Sequence, residues 1–165
     1  MQLGPYTLRN RVFVAPMAGI TDRPFRQLCR QFDAAYAVSE MLSSRPELRG
    51  SRRSRLRRDH SGESGPIAVQ IAGADPQMLA DAARFNVDEG AQIIDINMGC
   101  PDRTIEKQGA GACMIKTPDI AIEVIRAAKE GAGDIPVSVK TRVGYNKVEI
   151  EEWIPKLLNE GIAAL

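Results

Sequence analysis

Residues 89–101 read Glu-Gly-Ala-Gln-Ile-Ile-Asp-Ile-Asn-Met-Gly-Cys-Pro. A glycine after a helical run takes the left-handed cap conformation at little cost, so Gly90 marks a helix end. Ile93–Asn97 follows as a short apolar strand. Asn97-Met98-Gly99-Cys100-Pro101 is then a loop just past that strand's end. Upstream, Asp75-Pro76 supplies a cap and a first-turn proline for the helix that Gly90 closes.

The same junction recurs at Glu130-Gly131-Ala132 and Glu160-Gly161-Ile162. Each closes a helix and leads into an apolar stretch. Further strands are expected at Val12–Ala15, Ala35–Ser39, Ile67–Ile71 and Val137–Lys140. Thr21 or Asp22 caps a helix on which Phe25, Leu28, Cys29 and Phe32 fall at i, i+3, i+4, i+7, one apolar face. Thr117-Pro118 opens another helix, and Ile150, Trp153, Ile154, Leu157 and Leu158 form a last stripe. Strands alternating with helices imply a parallel sheet with right-handed crossovers, in either a doubly wound sheet or a (β/α)8 barrel. The first turn, Pro16-Met17-Ala18-Gly19, carries no GxGxxG, which counts against a dinucleotide fold.

The 165 residues carry 22 Lys+Arg against 21 Asp+Glu, a net charge of +1. That balance hides segregation. Arg45–Arg58 holds seven arginines and one acid, Glu47, so the segment is +6 and the remainder −5. It reads as a solvated face or as a patch for bidentate phosphate contact. Composition excludes disorder, and no apolar run is long enough to span a membrane. The start lacks the pattern of a signal peptide, and the three cysteines form no CxxC pair. Reduced thiols, a cytoplasmic protein, no metal and no obligate protein partner are the corresponding expectations.

Both candidate architectures place ligands at the carboxyl ends of the strands. Pro16-Met17-Ala18, Ser39-Glu40-Met41, Gln70, Asn97–Pro101 and Lys140-Thr141-Arg142 all fall there. Cys100 is the sharpest feature, because a Gly-Cys-Pro loop past a strand is an unusual place for a core residue. Cys29 and Cys113 read as core thiols. A thiol such as that of Cys100 acts as a general acid, or as a nucleophile if a base activates it. The only histidine, His60, lies far off in a polar loop, against a Cys-His dyad. Lys140 offers a cation for an anionic ring or phosphate, and Gln70 offers a donor and an acceptor to a flat heterocycle. Glu40 is a site carboxylate or a capping acid.

The ordered set VAPMAGITDRPFR, VQIAG, IIDINMGCP, GAGA and VKTRVG resembles the tRNA-dihydrouridine synthases, most closely their bacterial B-type branch. The likeness runs from Gly4 to Leu165. It implies a (β/α)8 TIM barrel that binds FMN, takes electrons from NADPH and reduces uridine in tRNA. It implies Cys100 as proton donor. Pro16, Met17, Ala18, Gln70 and Lys140 become FMN contacts, and Asn97 and Arg142 substrate contacts. The family pattern continues past Gly161 into a His-Gly-Arg-Thr loop, phosphate-holding loops and a helical tRNA-binding domain. Residues 1–165 are therefore expected to be the N-terminal portion of the barrel, about five and a half βα units, with an exposed edge. Two other readings stand beside this one. The first is a flavin enzyme of the dihydroorotate or dihydropyrimidine dehydrogenase kind. The second is an inactive, truncated RNA-binding remnant.

Overall fold

The computed structural model describes residues 1–165. A small antiparallel hairpin, β1 (Gln2–Leu3) and β2 (Tyr6–Thr7), comes first. Then follow β3 (Phe13–Val14), α1 (Arg23–Gln31), β4 (Tyr36–Ala37), β5 (Leu42–Ser43), α2 (Arg52–Arg58) and β6 (Ala68–Ala72). The chain continues through α3 (Pro76–Asp88), β7 (Ile93–Met98), α4 (Arg103–Glu106), α5 (Pro118–Ala132), β8 (Val137–Thr141) and α6 (Ile150–Leu158). Local chemistry sets several starts. Asp22 accepts from Phe25 N at 3.0 Å and Asp75 from Met78 N at 2.8 Å, each satisfying a free helical N–H.

All pairings after the hairpin are parallel. β3 pairs with β4, and β5, β6, β7 and β8 are neighbours in that order. Bridges from Val38 to Ala68 and from Ser138 to Ala164 extend the series at both ends. Thus β4 and β5 act as one interrupted strand, and strand order follows sequence order throughout. A doubly wound sheet reverses direction at a switch point, and no reversal occurs here. The result is an open α/β arrangement of parallel strands in barrel order, without a closed ring.

Strand alternation divides the interior. Val69, Ile71, Ile94, Ile96, Met98 and Val139 face the helices and join one core with residues of α3, α5 and α6. Ala68 and Ile93 face the other way and pack with Leu3, Leu8, Tyr36 and Val38, so the N-terminal hairpin covers one end of the concave side. The register aligns Gln70 with Asp95 and Asp95 with Ser138, a polar row across three strands, while Asn97 stands opposite Lys140.

Three sequence readings are corrected. The apolar stripe of α1 does not form its buried face: Phe32 is 81% exposed and Leu28 49%, while Arg26 is fully buried. Arg26 prevails because it meets Glu63, 37 residues away, together with the carbonyls of Thr21 and Asp59. Cys29 and Cys113 are only partly buried. Gly131 is no cap; α5 runs on to Ala132, and Gly133, at φ 61°, closes it. Gly131 instead lets α5 press on α3, since a β-carbon there would collide with the Ala80 carbonyl. Gly90 (φ 99°) and Gly161 (φ 64°) do take the expected left-handed conformation.

Candidate active site

Past the carboxyl ends of the strands lies a cavity of about 220 Å³, lined by Pro16, Ala18, Gln70, Asn97, Cys100 and Lys140, with Met41, Gly99 and Pro101. Six of the residues expected from sequence therefore meet in one place. Met17 and Arg142 do not line it. Met17 anchors the turn after β3: its carbonyl accepts from Ile20 N and Thr21 N, and its N–H donates to Thr21 Oγ1 at 2.8 Å. Arg142 is exposed and donates from Nε to the Gly99 carbonyl at 2.6 Å, so it braces the thiol-bearing loop.

That loop is held from several sides. Asn97 Oδ1 accepts from Cys100 N at 2.9 Å and Gly99 N at 3.2 Å. The Cys100 carbonyl accepts from Ala112 N at 2.9 Å. Gly111, at φ 71°, lies so close that a β-carbon would sit 2.5 Å from that carbonyl oxygen. On the other side of β8, Thr141 Oγ1 donates to the Met98 carbonyl and accepts from Trp153 Nε1. The floor is polar and buried. Gln70 Nε2 donates to Asp95 Oδ2 at 2.7 Å, Ser138 Oγ donates to Asp95 Oδ1 at 2.6 Å, and Asn97 Nδ2 donates to Gln70 Oε1 at 2.9 Å. Burial pushes the Asp95 carboxyl above the usual carboxylate range, against the bonds from Ser138 and Gln70 and the charge of Lys140.

Glu40 proves to be a tie between loops rather than a helix cap. Its Oε1 accepts from Gly19 N at 2.7 Å and lies 3.4 Å from Arg57 Nε. His60 pairs with Glu63 at 3.2 Å and is absent from the cavity lining. The arginine segment divides in function. Arg57 donates to the Met41 carbonyl, Arg58 to the Arg49 carbonyl, and Arg49 and Arg58 both lie over the Phe85 ring. Arg52 and Arg53 are exposed, and Arg53 lines a separate concavity of about 420 Å³ with Arg23, Arg57 and Glu40. Asp95 and Ser138 escape a sequence reading, since their parts depend on cross-strand register, and Thr141, placed at the rim by its sequence, is given its bonding role only by the structure. The alternation of Asp95 with Asn97 along β7 was the available signal.

This constellation can deliver a proton from a thiol beside a cation and two amides at the edge of a flat ring. The sequence model of the family described as dihydrouridine synthase (Dus) matches residues 13–165. The chain belongs to the dihydrouridine synthase family. Among relatives of that family, a protein named tRNA-dihydrouridine synthase B from Vibrio vulnificus is 53% identical over 146 residues, 88% of this chain and 45% of its own length. Proteins of the same name from Shewanella oneidensis and Pseudomonas aeruginosa are each 52% identical, over 145 and 147 residues. They cover 88% and 89% of this chain, and 45% and 44% of their own lengths. The chain thus spans somewhat under half the length of these dihydrouridine synthases. No helix in it is long and apolar enough to cross a membrane.

Proposed function

We propose that this chain supplies the ring-binding and proton-donating part of a cytoplasmic tRNA-dihydrouridine synthase, which reduces uridines in tRNA to 5,6-dihydrouridine with FMN and NADPH. The observation that carries this reading is the thiol of Cys100 in one cavity with Lys140, Gln70 and Asn97, in a chain about half identical to proteins named for that reaction. The donor set suits a flavin. Lys140 brings a cation to the electron-rich edge of the ring, and the second N–H of Gln70 meets its polar atoms. Pro16 and Ala18 give it apolar contact, while Met17 shapes the turn that carries them. FMN held there would supply the hydride for C6 of the uracil ring, with NADPH as its reductant.

Cys100 holds the matching proton and gives it to C5, where negative charge develops as C6 is reduced. The S–H bond breaks, a C–H bond forms, and solvent returns a proton to the thiolate. His60 is committed to Glu63, which favours a thiol acting as acid over one activated as nucleophile. Asn97, with one amide hydrogen left over, orients the uracil. Arg142, its Nε fixed on Gly99, would offer its remaining N–H groups to the substrate from outside the cavity. A stacked uridine must be flipped out to reach this depth, and on this reading the exposed Arg52 and Arg53 would hold neighbouring phosphates.

Unmodified tRNA incubated with the protein, FMN and NADPH tests the reading. Uridine should gain two hydrogens by mass, with free orotate and uracil left unreduced. Reduction of the free pyrimidines and none of tRNA would overturn it in favour of a dehydrogenase of free bases.

A further inference from the structure

Asp95 has no part in the chemistry above, yet it is only 5% exposed and lies beneath the cavity. From it a single line of hydrogen bonds reaches the loop that carries the thiol. Asp95 Oδ2 accepts from Gln70 Nε2, Gln70 Oε1 accepts from Asn97 Nδ2, and Asn97 Oδ1 accepts from the N–H groups of Gly99 and Cys100. Every bond runs in the same sense, toward the carboxylate. A carboxamide has two ends of similar size and opposite hydrogen-bond character, so its shape alone does not fix which way it faces. A carboxylate oxygen accepts only. Facing one, Gln70 must present Nε2, which leaves Oε1 for Asn97, which in turn leaves Oδ1 for the loop.

We propose that Asp95 is a positioning residue whose acceptor oxygen sets the orientation of the Gln70 and Asn97 amides and, through them, clamps the loop bearing Cys100. Its consequence for catalysis rests on the reading of Cys100 as proton donor; the relay itself does not. Ser138 completes the device by holding the second carboxylate oxygen at 2.6 Å, which fixes the plane of the Asp95 carboxyl. The relay also decides which cavity-facing amide positions offer hydrogens and which offer lone pairs. Reversal would present a bound ring with the wrong set.

Reversing the polarity of the relay tests it. In a Cys29→Ser, Cys113→Ser background, Cys100 is the only thiol. Its alkylation by iodoacetamide is followed against pH up to the plateau, where the thiolate is fully formed and the rate reports access and pose. Asn97→Asp keeps the acceptor for the loop but sets a carboxylate oxygen against Gln70 Oε1. Gln70 must then turn its oxygen onto Asp95. The plateau rate should shift by about fivefold or more, the scale of coupling within one hydrogen-bond network. Adding Asp95→Asn places an amide hydrogen opposite the turned Gln70 oxygen and leaves the other oxygen for Ser138. The two side-chain bonds then run in the opposite sense, the loop N–H groups still donate to residue 97, every bond is made, and the plateau should return to within about twofold of the parent. A burial or packing role would make the two substitutions add rather than cancel.

If N97D alone fails to fold, recovery of folded protein in the D95N/N97D variant supports the relay. An unchanged plateau in N97D, or a double variant no closer to the parent than N97D, overturns it. Dihydrouridine formation is not the readout, so a failure of the tRNA reading and a failure of the relay give different results.

Discussion

Replacing Glu63 with Gln should destabilise the chain more than any exposed ion-pair substitution. Glu63 is 1% exposed on its side chain, and it meets two guanidinium groups that are themselves buried, Arg26 at 0% and Arg30 at 7%. Both its oxygens lie 3.1 Å from Arg26 Nε, Oε1 also takes Arg26 Nη2, and His60 Nδ1 stands 3.2 Å away. Removing the only carboxylate in that group leaves two buried cations facing one another. Loss of one partner from a buried pair costs about 3–5 kcal/mol. For a chain of this size each kcal/mol moves Tm by roughly 2–4 °C, so a fall of about 6–20 °C is expected.

The pH dependence carries a sign. Burial pushes the Glu63 carboxyl up, but the bonds from His60 and Arg26 and the Arg26 charge outweigh it, and the net shift is downward from 4.5. A depressed carboxyl stabilises the fold above its unfolded pKa and loses that contribution as pH falls through the folded value. Thermal unfolding of parent and E63Q should therefore show the full gap above pH about 5 and converging curves below about 4. The exposed pair Arg45–Glu47 provides the control, and Glu47→Gln should leave Tm unchanged. An E63Q variant within experimental error of the parent, or a gap that persists undiminished in acid, would refute the reasoning.

Other outcomes follow from single contacts. Gly131→Ala should lower the urea midpoint by the equivalent of about 1–3 kcal/mol, because its β-carbon meets the Ala80 carbonyl and forces α3 and α5 apart. Gly111→Ala should change the alkylation rate of Cys100, since the added carbon crowds the Cys100 carbonyl; Gly133→Ala, also at positive φ but with open space around it, should cost stability and leave that rate alone. Arg52→Gln with Arg53→Gln should weaken tRNA binding and flatten its dependence on log salt by about two, whereas Arg58→Gln should chiefly cost stability through the lost contact with Phe85.

Much of this was legible in the sequence, for identifiable reasons. The helix caps at Asp22 and Asp75, the strand at Ile93 and the collection of Gln70, Asn97, Cys100 and Lys140 at one rim all rest on local signals. Long-range chemistry was not legible. Periodicity along α1 could not show that Arg26 would find Glu63 beyond two strands and a helix, and so chose the wrong face. Gly131 carried the Glu-Gly signature of a helix end, but a neighbouring helix used its missing side chain instead. The hairpin of β1 and β2 and the four-residue helix α4 were too short to leave a periodic trace. Asp95 read as one polar residue in an apolar strand; only the alignment of β6, β7 and β8 turned it into the anchor of the site.

The most direct test of the central claim is the yield of dihydrouridine in unmodified tRNA from the protein and from its Cys100→Ala variant, with NADPH oxidation followed in the same samples. The account predicts that Cys100→Ala abolishes the two-hydrogen gain on uridine while flavin reduction by NADPH continues. An undiminished yield from the variant would contradict it and remove the thiol from the chemistry.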